Sequence, residues 1–248
     1  MKMLEKFKVY IVNLKLSKAR KEQILRELNK QKIKNFELIE AVDGNKLNKE
    51  EIYLHTFKNE KNFNPWGPEL TNSQIGCALS HIKIYKNFVK SEFEYALILE
   101  DDAIFLDNFT KDLKNFIIKN FKFKKQILLL SELKEFIKTP IDKIENYEVV
   151  NVTNAFFTHA YFINKEAAKS IAKFNYPIKT WADNFVLFKL YCDIELTGLN
   201  PYLLDQDKTN FNSTVELQKK FKKNFLIKRF LYKLKNKILK RLISFDGH

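Results

Sequence analysis

Cysteine is nearly absent, with Cys77 and Cys192 the two thiols in 248 residues. Two thiols make no disulfide framework and no zinc cluster, which suits a reducing compartment, and each reads as a buried structural residue within an apolar helical pattern. Glycine and proline number five each, so low-complexity and collagen-like architectures are excluded and most of the chain is expected to be ordered. No stretch reaches the ~18 uncharged apolar residues of a membrane span. The opening residues carry Lys2, Glu5, Lys6 and Lys8, and Val9–Val12 is too short for a signal core. A cytoplasmic location follows as the expectation. Acids are missing from one place in particular: residues 219–241 hold eleven Lys or Arg and no Asp or Glu. Removing those eleven from the net +14 leaves +3 for everything else. The basic character therefore belongs to a tail, and a near-neutral body without a helix-turn-helix or RNA-binding signature argues against nucleic acid as partner.

What is present reads as α/β. Lys8–Leu14 is an apolar first strand, and Ser17 can cap a helix over Lys18–Gln31 with Ile24, Leu25 and Leu28 inward. Phe36–Ala41 is a second strand, closed by the turn signal Val42-Asp43-Gly44-Asn45. This β-α-β opening points to a mainly parallel sheet. Thr71 and Gln74 form a capping box for a helix running to about Lys90. Further on, a helix to Asn120 and a strand over Gln126–Ser131 are expected. The charged stretch Leu133–Asn146 carries no readable pattern. Glu148–Val152 and Phe156–Ile163 read as strands joined through Thr153-Asn154, Lys165–Phe174 as a helix capped by Asn164, Trp181–Tyr191 as another helix, and Asp193–Leu199 as a late strand.

The chemistry concentrates where the apolar run Tyr95–Leu99 stops at three consecutive acids, Glu100, Asp101 and Asp102. In open α/β sheets, ligands lie beyond the carboxyl ends of the strands. Three carboxylates there repel one another unless a cation sits among them, and a divalent ion carrying a nucleotide diphosphate fits. An acidic turn bonded to loop amides is the plainer alternative.

From about Glu216 the pattern is helical again. Phe221, Phe225, Phe230, Leu234 and Ile238 share one stripe, with Lys and Arg opposite. A division into a domain over 1–215 and a basic amphipathic tail over 216–248 follows. Such a helix favours an anionic membrane surface; packing on the domain, or pairing two chains into a homodimer, is the alternative.

Four segments taken together carry a resemblance: Val9-Tyr10-Ile11-Val12-Asn13-Leu14, Ala41-Val42-Asp43-Gly44, Gln74-Ile75-Gly76-Cys77-Ala78-Leu79-Ser80-His81, and Leu97-Ile98-Leu99-Glu100-Asp101-Asp102. In this order and spacing the chain resembles the family 25 glycosyltransferases, over about residues 8–205, with Thr158-His159-Ala160-Tyr161 and Pro201 to Gln206 continuing it more weakly. That resemblance implies a GT-A-like, Rossmann-type nucleotide-sugar fold. It also implies inverting transfer of a hexose, galactose first among them, from a UDP-sugar to a lipooligosaccharide or lipopolysaccharide acceptor. With a divalent cation (Mn²⁺ or Mg²⁺) at the acids, Asp102 is the expected ligand and catalytic residue. Glu100 joins it at the metal, or with Asp101 holds ribose or metal-bound water, and His159 is a further candidate ligand. The triplet is Glu-Asp-Asp rather than Asp-x-Asp, so this division of labour departs from the pattern.

Around the acids, Asn13 is a candidate for the uracil edge and Arg20 for the diphosphate, against a cap and a solvated helix face. Asp43 contacts ribose or uracil, or closes an Asx turn. Ser80 and His81 face the donor, or are buried helix residues. Asp183, near Trp181, is the candidate base for the acceptor hydroxyl, although an acid at a helix start is also what capping gives. The membrane tail would hold such an enzyme at the inner face of the cytoplasmic membrane, near a glycolipid acceptor. The competing reading is a non-catalytic nucleotide-sugar or glycan-binding module with the same fold.

Overall fold

The computed structural model describes residues 7–57, 69–155 and 158–207. The tail over 216–248 lies outside these, and so does most of the irregular segment before Thr71.

The amino-terminal half is built as its pattern suggests, except that Ser17, at the start of the first helix, makes no side-chain cap hydrogen bond. Strand β1 (Phe7–Asn13), helix α1 (Lys18–Lys30) and strand β2 (Phe36–Glu40) form the opening unit, with β2 parallel to β1. Helix α2 (Lys49–His55) follows a 3-10 turn over Gly44–Lys46. Helix α3 (Asn72–Lys90) starts at the expected box: Gln74 N–H donates to the Thr71 side chain at 3.2 Å, and Thr71 N–H to Gln74 Oε1 at 3.0 Å. These bonds satisfy donors that a helix start leaves open. Strand β3 (Tyr95–Glu100) then lies parallel to β1 on the side away from β2.

The remaining elements are β4 (Ala103–Phe105), α4 (Lys111–Lys119), β5 (Gln126–Leu129), β6 (Glu135–Ile144), β7 (Tyr147–Asn154), β8 (Ala160–Asn164), α5 (Lys165–Phe174), α6 (Phe185–Cys192), β9 (Glu195–Asn200) and β10 (Leu204–Gln206). The main sheet has the order β2-β1-β3-β8-β5-β9-β7-β6. Following the pairings across it, β8 and β7 run against the other six strands, so the sheet is mainly parallel in direction. Both faces are covered. Leu97, Leu99 and Phe162 pack with Ile24, Leu28 and Phe116 on one side. Ile98 and Tyr161 pack with Ile82, Ile171 and Phe185 on the other. Burial of both faces is why the central strands read as unbroken apolar runs.

Three expectations are corrected. The charged stretch before Asn146 is the long strand β6, paired antiparallel with β7 around Glu145, whose φ of 49° is left-handed. Strands β7 and β8 do not form a hairpin, because β8 inserts between β3 and β5 while β7 pairs with β9 and β6. Helix α6 starts at Phe185, not Trp181, because Asn184 is its cap and accepts from Leu187 N–H at 3.3 Å.

Candidate functional site

The strand order reverses at β1, which has β2 on one side and β3 on the other. A crevice outside the carboxyl ends of strands opens at such a reversal. Asn13 ends β1 and Glu100 ends β3, with Val12 in register opposite Glu100. The cleft there is lined by Val12, Arg20, Asp43, Cys77, Glu100 and Asp101, among others.

The three acids diverge. Asp101 turns toward β1 and α1: Asn13 Nδ2 donates to its Oδ2 at 2.7 Å and Arg20 Nη1 to its Oδ1 at 2.9 Å. The same Arg20 nitrogen reaches Asp102 Oδ2 at 3.0 Å, where Gln206 Nε2 also donates at 2.9 Å. Asp102 Oδ1 is buried and has no hydrogen-bond partner among the described residues. It faces His159, whose Nδ1 lies 4.0 Å away and 3.5 Å from Glu100 Oε2. Thr158 Oγ1 donates to Glu100 Oε1. Glu100, Asp102 and His159 thus bring one ligand atom each within 4.8 Å of the others.

Electrostatics separates these groups further. Burial opposes ionisation of Glu100, but the neighbouring His159 and His81 imidazoles overcome it and hold its carboxyl below the usual range. Burial pushes Asp101 upward, with Asn13 and Arg20 opposing. Burial and the Glu100 charge push Asp102 upward, against Gln206, His159 and Arg20. Asp102 thus favours a proton or another cation at this corner. Two carboxylates and an imidazole, with one buried oxygen unsatisfied, fit a divalent cation.

The helix string places its residues in two roles. Ser80 is fully buried and its hydroxyl is committed at both ends: it donates to Gly76 O at 2.7 Å and accepts from Val42 N–H at 2.8 Å. Gly76 lets α3 close on the Asp43 turn, since a Cβ there would stand 2.5 Å from Gly44 N and Val42 O. Asp43 caps that turn by accepting from Asn45 N–H at 3.2 Å. His81, one turn beyond Cys77, points its Nε2 toward Glu100 Oε1 at 3.8 Å, while its Nδ1 meets Tyr161 OH at 2.8 Å.

Asp183 precedes the Asn184 cap and is partly buried. Burial lowers the His159 imidazole but Glu100 and Asp102 raise it, burial and Glu100 raise the Cys77 thiol, and the Asp183 charge adds a smaller push to each. The structure therefore brings Asn13, Arg20, Asp43, His81, Glu100, Asp101, Asp102, His159 and Asp183 around one corner, with Ser80 holding its wall.

Gln206, Thr158 and Tyr161 were not singled out by sequence. Gln206 arrives because β10 pairs antiparallel with β4, placing it opposite Ala103. The weak motif continuations around Thr158 and Gln206 were the available signals.

The protein-family model described as "Glycosyltransferase family 25 (LPS biosynthesis protein)" matches residues 6–186. The chain belongs to glycosyltransferase family 25. Among curated relatives of this family 25 chain, human procollagen galactosyltransferase 2 is 28% identical over 172 residues, covering 67% of this chain and 27% of that protein. Procollagen lysyl hydroxylase and glycosyltransferase of Acanthamoeba polyphaga mimivirus is 32% identical over 184 residues, covering 68% and 20%. The chain thus spans about a quarter of the length of these relatives. A solved structure similar to it is Drosophila β-1,4-galactosyltransferase 7 in complex with manganese, UDP-galactose and xylobiose, with TM-score 0.44, 11% identity and coverage of 89% and 78%.

Proposed function

We propose that the protein is a metal-dependent, inverting glycosyltransferase that moves a hexose, most simply galactose, from a UDP-sugar to a saccharide acceptor. Family membership supports transfer, and the galactosyltransferase names of its relatives support the donor. The observation that carries the metal reading is the buried, unpartnered Asp102 Oδ1 beside Glu100 and His159.

Glycosyl transfer loads negative charge onto a departing nucleoside diphosphate. A divalent cation held by Asp102, Glu100 and His159 would supply Lewis-acid stabilisation of that charge. Arg20 and Gln206 fix the Asp102 carboxylate from its other oxygen. Asn13 and Arg20 hold Asp101 at the end of β1, on the side assigned to the nucleotide. Asp43 lines the cleft for the ribose or uracil. Asp183 removes the acceptor hydroxyl proton as the new bond forms, a role its closeness to His159 supports.

The family description and the basic stripe over 216–248 support a lipopolysaccharide-type acceptor, reached from the inner face of the cytoplasmic membrane. The test is a donor screen reading released UDP, with and without Mn²⁺. UDP-galactose with a lipooligosaccharide acceptor should release UDP only with metal. Asp102→Asn and Asp183→Asn should each lower kcat by about 10²–10⁴-fold. Metal and nucleotide binding without turnover on any donor would instead identify a binding module.

A further inference from the structure

A second group of potential ligands stands behind the first. Cys77 and His81 are four residues apart on α3, so their side chains share one face. That face meets the end of β3, and Cys77, His81 and Glu100 bring one ligand atom each within 4.8 Å of the others. The donor set is sulfur, nitrogen and one oxygen, softer than the neighbouring group of Glu100, Asp102 and His159.

His81 supplies an independent observation. Its residue is 1% exposed, yet Nε2 has no hydrogen-bond partner among the described residues. Buried polar atoms left in this state need a reason. The other ring nitrogen is engaged with Tyr161 OH, which in turn meets Tyr85 OH at 2.7 Å, and both tyrosines are fully buried. An imidazole oriented from behind by a hydrogen-bonded partner, with its free nitrogen aimed at other donors, is how metal-binding histidines are commonly held. Thr158 similarly holds Glu100.

We propose that Cys77, His81 and Glu100 form a zinc-class site, distinct from the hard-cation group and joined to it through Glu100. Zinc accepts sulfur, nitrogen and carboxylate oxygen at about 2.0–2.3 Å, so binding would draw these atoms together by roughly an ångström. On binding, the Cys77 Sγ–H bond breaks, the proton leaves to solvent, and a sulfur–metal bond forms with no change of oxidation state. Cys77 and Glu100 both line the cleft, which gives the ion its entry. The purely structural role expected for Cys77 is thereby replaced, while Cys192 keeps it: Cys192 is buried at the end of α6, its Sγ directed to Ser170 O.

Cobalt(II) is the probe, because a thiolate–cobalt bond gives a near-ultraviolet charge-transfer band that oxygen and imidazole ligands do not. Titrating the tag-free, full-length, reduced protein with Co²⁺ should raise that band to one equivalent, and added Zn²⁺ should abolish it. Cys77→Ser and Cys77→Ala should each lose the band while retaining the wild-type far-ultraviolet circular dichroism, and Cys192→Ser should keep it. Absence of the band in the folded wild type, its persistence in both Cys77 variants, or its loss in folded Cys192→Ser would each overturn the assignment. The readout needs no nucleotide sugar, so it fails or succeeds apart from the transferase reading.

Discussion

Arg20 makes the clearest demand on a single side chain. One guanidinium nitrogen bonds both Asp101 and Asp102, and all three side chains are almost withdrawn from solvent, at 12%, 9% and 3% exposure. Removing one partner from a buried ion pair leaves an uncompensated charge and costs about 3–5 kcal/mol. Arg20→Ala should therefore lower stability by about 3 kcal/mol in urea unfolding, and Asp101→Asn in the same background should recover part of it. His159 gives a pH prediction. Burial favours its neutral form, but the hydrogen bond and charge of Glu100, with Asp102 and Asp183, prevail and raise its pKa. A group raised on folding stabilises fully below its unfolded pKa, about 6.5 for histidine, and that stabilisation is lost as pH rises through the folded value. The melting temperature of the metal-free protein should thus fall as pH rises above ~6.5, and His159→Gln should flatten that slope. Manganese affinity should strengthen over the same rise, because ligation requires the proton to leave His159.

The helix string matters at the scale of elements as much as of chemistry. Gly76 and Ser80 seat α3 against the turn that carries Asp43. In an isolated helix, alanine is favoured over glycine by about 1 kcal/mol. Here the added methyl meets backbone rather than a movable side chain, so overpacking wins. Gly76→Ala should destabilise by about 1–3 kcal/mol and weaken UDP-sugar affinity by displacing Asp43; isothermal titration alongside thermal melts checks both. Elements with strong local signals were legible. The Thr71 box, the Asn164 cap and the apolar runs of β1 and β3 declare themselves in a few residues each. Strand β6 was not, because it is the sheet's edge and much of it is exposed, so it alternates poorly and carries Lys138, Pro140 and Lys143. The insertion of β8 between β3 and β5 was equally hidden, since an apolar strand says it is buried but not beside which neighbour. Within the site, contiguous acids were visible. The convergence of Arg20 and Gln206 on Asp102, across 82 and 104 residues, depends on topology that no local pattern carries.

At the scale of the whole molecule, charge is divided between a near-neutral body and the basic stretch 219–241. Apolar insertion combined with attraction to anionic head groups holds such segments at a bilayer. The full chain should therefore co-sediment with phosphatidylglycerol-containing vesicles and leave them at high salt. A chain ending at 215 should stay in the supernatant while keeping soluble-acceptor turnover; equal sedimentation of both would remove the membrane assignment. The carboxyl end of the described body adds a geometric consequence. Asp207 N–H donates to the carbonyl of Asp102 at 2.8 Å, so the polypeptide leaves from the acidic corner itself. Each further residue can advance the backbone by at most ~3.5 Å, so whatever engages the first few positions beyond Asp207 is brought within short reach of that corner.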